Sequence, residues 1–99
     1  MAPGLFDIWY FIVGFLLANG VPHFVFGSAG KLFRSPFGRR SPPRVNIAWG
    51  AANLLLATAI GLALAFLNNY DSYSFAALLL GFWLMALYFG FAIDRFLDN

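Results

Sequence analysis

Three long apolar runs, from Leu5 to about Phe26, from Val45 to Leu67 and from Phe75 to Ile93, decide what this chain can become. About 18 or more apolar residues in a row can cross hydrocarbon as a helix, which satisfies its own backbone in a medium that offers no hydrogen-bond partners. Little of the 99-residue chain is left over to cover these runs, since 62% of it is hydrophobic and only 10% charged. A soluble domain is about half apolar and one-quarter charged. The expectation is a single all-α, integral membrane domain over residues 1–99. It has three transmembrane helices at about 5–26, 45–67 and 75–93, and a basic loop at 27–44 between helices 1 and 2.

Local signals punctuate these runs. Asn19-Gly20-Val21-Pro22-His23 interrupts the first. Proline lacks an N–H and disfavours helix at the residue before it, so a kink or an end is expected near 20–22, with Pro22 to Phe26 re-entering or lying at the interface. Ser41-Pro42-Pro43-Arg44 reads as a capping serine with proline in the first helical turn. The second run stops at Asn68-Asn69, and Asp71-Ser72-Tyr73-Ser74 supplies cap candidates for the third. Met1-Ala2-Pro3-Gly4-Leu5-Phe6-Asp7 has no basic n-region, so the N-terminus is read as mature structure rather than as a signal peptide.

Lys31, Arg34, Arg39, Arg40 and Arg44 lie in the first loop, five of the chain's six basic residues, with no acid among them. The positive-inside rule places that loop in the cytoplasm of a cell with the chain in its inner membrane, the N-terminus outside and the C-terminus inside. Trp9, Tyr10, Tyr70 and Tyr73 sit where aromatic rings mark the outer boundary. The cations suit anionic lipid headgroups or an anion-attracting vestibule; nucleic acid is not an expected partner. Leu32, Phe33 and Phe37 interleave with Lys31 and Arg34, which predicts a segment lying on the membrane surface with its apolar side down.

Several chemistries are excluded outright. Without cysteine there is no disulfide, no thiolate metal ligand and no cysteine nucleophile. Without glutamate, and with Asp7, Asp71, Asp94 and Asp98 at or beyond helix ends, no carboxylate stands at mid-membrane, which weighs against proton-coupled antiport. No catalytic or metal-binding motif is present. The expectation is a protein that is not an enzyme and carries no cofactor.

Polar side chains inside a span normally face another helix or water. On the second run Asn46, Gly50 and Asn53 share one face, with Trp49 beside them; on the first, Asn19 and His23 are four residues apart. At about 1.5 Å per residue, Asn53 lies roughly 12 Å inward from Val45 and Asn19 roughly 10 Å inward from Phe26, so the two stand near one level. His23 and Asn46 lie closer to the surface. Two readings follow, a polar pocket open to the cytoplasm and lined by these residues, or amides that join helices. Two copies of His23 across a dimer axis could bind a haem or a metal. Ala57, Gly61 and Ala65 form a small-residue ladder for close packing of a helix. Phe75, Phe82, Phe89 and Phe96 make a stripe toward lipid or a facing helix, and Trp83 at mid-span calls for an acceptor on a neighbouring helix.

Asn19-Gly20-Val21-Pro22-His23-Phe24, Gly30-Lys31-Leu32-Phe33, Pro36-Phe37-Gly38, Ser41-Pro42 and Asn46-Ile47-Ala48-Trp49-Gly50-Ala51-Ala52-Asn53 together resemble the pattern of a family of small bacterial three-helix integral membrane proteins. The resemblance covers roughly the first half of the chain. It implies a bacterial inner-membrane setting and attaches no activity, substrate or cofactor.

Three helices cannot enclose a hydrated pathway alone. The leading expectation is therefore a homo-oligomeric channel or transporter, its basic rim favouring an anionic or neutral small solute. The rival is an accessory or assembly subunit of a larger membrane complex. A haem- or quinone-binding protein ranks third.

Overall fold

The computed structural model describes residues 4–67 and 70–98. Three helices, α1 (Phe6–Ser28), α2 (Pro43–Phe66) and α3 (Ser72–Phe96), make up most of it, and each is long and apolar enough to span a membrane. The extents of 48 × 25 × 18 Å compare with about 40–45 Å for a bilayer with its headgroups. The chain is built as a multi-pass membrane protein.

The central helix is α1. It packs along both α2 and α3, which make next to no direct contact with each other. Glycines make both seams. A Cβ on Gly50 would lie 2.5 Å from the Phe24 nitrogen and 2.8 Å from the Gly20 carbonyl oxygen, so α1 and α2 meet backbone to backbone. At the other seam, a Cβ on Gly14 would land on the Leu78 carbonyl and one on Gly81 on the Phe11 carbonyl. Such close approach maximises van der Waals packing, the main force joining helices in lipid. Val13, Ala57 and Leu64 form a small core beyond these crossings, enclosed by Tyr10, Leu16, Leu17, Ile60 and Leu78.

Pro22 does not end α1 or send the following residues back along the interface, because the helix runs unbroken through it to Ser28. A proline there forfeits one rung of the ladder, a modest loss for a helix held on two sides, and membrane helices tolerate it. The end comes where Gly30 takes φ +76°. Lys31 N–H then donates to the Phe26 carbonyl at 2.9 Å and Gly30 N–H to that of Gly27 at 3.0 Å, which closes off the last carbonyls.

Ser41 is not the cap of α2. Pro42 holds that position and Pro43 the first turn, while the buried Ser41 hydroxyl donates to the Gly38 carbonyl at 2.7 Å and accepts from Ser35 at 2.6 Å. The α2 helix stops at Phe66; Asn68-Asn69, like Met1-Ala2-Pro3, lies outside the described residues. The third helix starts three residues before the expected point because Asp71 and Ser74 form a capping box, each side chain bonded to the other's backbone N–H at 3.1 Å. Ser74 also donates to Asp7 at 3.0 Å or to Asp71 at 3.3 Å, pinning the starts of α1 and α3 together. At the far end, Asp94 and Arg95 belong to the last turn of α3 rather than to a tail.

The loop after α1 is folded into the protein rather than laid on a surface. Its strand β1 (Leu32–Phe33) pairs antiparallel with β2 (Leu97–Asp98), Leu32 opposite Asp98 and Phe33 opposite Leu97. Arg34 N–H continues the ladder to the Phe96 carbonyl at 2.8 Å. This pairing turns Phe33 inward, where it is 0% exposed, while Phe37 stays 69% exposed. The surface-segment expectation fails for Phe33 because the α3 terminus supplies it with an aromatic cavity that lipid would otherwise have to replace.

Lys31, Arg34, Arg39, Arg40, Arg44 and Arg95 all gather at the end formed by this loop and the α3 C-terminus, whereas Asp7 and Asp71 sit at the other. Along α3 the phenylalanine stripe does not keep one face, since Phe75 is exposed and Phe89 buried. A straight helix drifts by about 20° per seven residues, which carries the stripe from lipid into the core. Trp83 points off the bundle, 56% exposed and edge-on to Phe82, with no hydrogen-bond acceptor among the described residues. Of the expected ladder only Ala57 is packed; Ala65 is exposed, and nothing lies within 4 Å of where a Gly61 Cβ would be.

Candidate functional site

Because α2 and α3 flank α1 without closing on each other, a groove is left toward the basic end. It is a cavity of about 470 Å³ whose lining includes Asn19 and His23 from α1, Trp49 from α2, Tyr88 and Phe89 from α3, and Arg34 from the loop. Asn46, Gly50 and Asn53 are not on its surface. They occupy the α1–α2 seam one layer behind and set the chemistry of what is on it.

His23 is 2% exposed and its Nδ1 lies 2.7 Å from Asn46 Oδ1. The Asn46 amide nitrogen donates to the backbone carbonyls of Phe33 at 2.8 Å and Ser41 at 3.1 Å, groups that can only accept. That fixes which end of the amide faces the histidine. Asn46 Oδ1 is the acceptor, so the proton of the contact sits on His23 Nδ1 and the neutral ring presents Nε2 as a lone pair. Nε2 has no partner among the described residues and opens on the groove.

The same logic operates one turn deeper. Asn53 donates from Nδ2 to the Trp49 carbonyl at 2.8 Å, which leaves its Oδ1 to accept from Asn19 Nδ2 at 2.9 Å. Asn19 Oδ1 is left as an acceptor with no partner among the described residues, again in the groove wall. Two relays, each anchored on backbone carbonyls, therefore end in two acceptors about one helical turn apart. A third polar group is unsatisfied, for Trp49 Nε1 is buried and has no acceptor among the described residues.

Aromatic rings immobilise the histidine. Phe33 and Phe89 meet its ring edge-on, with centroids at 5.1 and 5.8 Å. Phe33 in turn stacks on Phe26 at 5.0 Å, and Phe89 packs on Phe96 at 4.8 Å. The β1–β2 pairing holds this box shut from the basic end, so the loop and the α3 terminus support the site as much as the helices do.

Sequence reasoning singled out Asn19, His23, Trp49 and Arg34, which the structure brings to one groove. Lys31, Arg39, Arg40 and Arg44 stay on the basic end, and Ala57, Gly61 and Ala65 lie toward the other. It missed Tyr88, Phe89 and Phe96 as walls, because the phenylalanine stripe carries no sign of where it turns inward. Phe33 was missed as a support, because only its pairing with residues 97–98 distinguishes it from Phe37.

Fold and site together define a small multi-pass membrane protein with a ligand-sized, partly polar groove between its outer helices. Compared with protein-family models, with curated proteins and with solved structures, the chain matches none.

Proposed function

We propose that the protein is a homo-oligomeric transporter or channel of the inner membrane, which admits an anionic or neutral small solute through the groove between α2 and α3. The observation that carries this reading is the pair of acceptors, His23 Nε2 and Asn19 Oδ1, without partners among the described residues and held inside a bundle of three span-length helices. A polar atom in hydrocarbon without a partner is costly, so a wet or ligand-filled groove is its natural surrounding. The groove is open along one side, and a second copy of the chain is the simplest wall for a pathway that three helices cannot enclose.

Collection of every basic residue at one end supports a cytoplasmic position for that end, with the N-terminus outside and the C-terminus inside. The arginines there would raise the local concentration of anions at the mouth.

Reconstitution tests the proposal. Proteoliposomes loaded with labelled glycerol, phosphate or an organic phosphate should lose at least one of them about tenfold faster than protein-free vesicles. His23→Phe, folded by its thermal melt, should remove that flux. An inert monomer that copurifies only with other membrane subunits would favour the accessory-subunit reading instead.

A further inference from the structure

Beside the groove lies a second cavity of about 550 Å³, lined by Arg34, Arg39, Arg40 and Arg95 against one carboxylate, Asp94. Arg34 and Phe96 line both cavities, so the two adjoin along the inner edge of the basic end. Neither Arg34, Arg39 nor Arg95 is held in an ion pair among the described residues. Arginine presents a planar fork of donors that matches phosphate oxygens. The inner cavity asks for the opposite, since His23 Nε2 and Asn19 Oδ1 offer lone pairs and take only O–H or N–H groups.

We infer that the two cavities form one bipartite site for a hydroxylated phosphate ester, its phosphate among Arg34, Arg39 and Arg95 and its hydroxyls donating to His23 and Asn19. A fully ionised anion would satisfy the outer cavity and be repelled by the inner lone pairs. A neutral polyol would satisfy only the inner one. A molecule carrying phosphate at one end and hydroxyls a few bonds away satisfies both. The groove walls of Tyr88, Phe89 and Phe96 leave room for an apolar remainder, and the gap between α2 and α3 gives an acyl chain a way out into lipid. The ester is thus either a free polyol phosphate or a monoacyl glycerophosphate from the bilayer.

This inference deepens the transport reading by naming its solute class, and rests on it for the side from which the ligand arrives. Binding and flux separate the two. The test is calorimetric titration of the whole protein in a neutral maltoside detergent with glycerol 3-phosphate and with monoacyl glycerol 3-phosphate, against glycerol and inorganic phosphate. At least one ester should bind saturably and about tenfold or more tighter than glycerol or phosphate. Tighter binding of the soluble ester marks a free solute, and binding of the acylated form alone marks a lipid.

Arg34→Gln and Arg95→Gln, both at exposed positions, should each weaken it about tenfold. The ¹⁵N resonance of His23 Nε2 should move with the ester and not with phosphate. Equal binding of phosphate and ester, indifference to both arginine substitutions, or no saturable binding would each overturn the site. Ester binding without flux would remove transport and leave the site; flux of another solute without ester binding would do the reverse.

Discussion

His23 Nδ1 donates to Asn46 Oδ1 across 2.7 Å, and backbone carbonyls on the far side of the amide dictate that direction. In its neutral form the histidine is therefore held as one tautomer. In ¹⁵N spectra of the protein in micelles, Nδ1 should show a protonated, pyrrole-type shift with a resolved N–H coupling, and Nε2 a pyridine-type shift. Reversed assignments would mean that the relay runs the other way and that the groove receives a donor.

The Asn19–Asn53 bond joins α1 to α2 inside the span at 2.9 Å. Asn19→Leu and Asn53→Leu should each destabilise the bundle, and the double variant should lose less than the two singles combined. The coupling should be about 0.6–1.7 kcal/mol, the range for hydrogen bonds between membrane helices. Unfolding in mixed micelles measures it. Strict additivity would deny the bond an energetic role.

Two glycines of α2 should answer alanine oppositely. At Gly50 the new methyl meets α1 backbone at 2.5 Å, which cannot yield without parting the helices. Gly50→Ala should cost about 1–3 kcal/mol. Gly61→Ala meets open space and should be neutral or stabilise by up to about 1 kcal/mol through helix propensity. Thermal melts of the two variants read out the contrast.

Phe33 and Phe37 are four residues apart in one loop, and sequence alone gives them one role. Phe33→Ala should cost about 3 kcal/mol or more, because it empties the aromatic box under His23. Phe37→Ala removes only an edge contact with Trp49 at 5.4 Å and should cost about 1 kcal/mol or less. Equal losses would put the loop back on the membrane surface.

What was legible in the sequence followed from short-range regularities. Run length gave three spans, and helical rise placed Asn19 near the level of Asn53, a pair found bonded, with His23 and Asn46 both nearer the surface, where they too are bonded. What was not legible depended on contacts between distant segments. Residues 32–33 carry no mark of their pairing with residues 97–98, and the capping box of Asp71 and Ser74 sets where α3 starts more finely than hydropathy does. The Ser41-Pro42-Pro43 signal misled by one position, because the serine hydroxyl was already committed to Ser35 and Gly38. Gly61 and Gly50 look alike as glycines, and only the path of α1 separates the packed one from the open one.

The central proposal is that the groove between α2 and α3 is wet at the depth of Met85 and open to the basic end, which the proposed orientation places in the cytoplasm. The chain has no cysteine, so single-cysteine variants report cleanly. Met85 lines the groove and its neighbour Leu84 faces outward from α3. A charged, membrane-impermeant thiosulfonate needs water and a thiolate to react. In inside-out vesicles it should modify Met85→Cys and spare Leu84→Cys, and in right-side-out vesicles it should modify neither. Two inert cysteines, or two that react alike, would contradict the account.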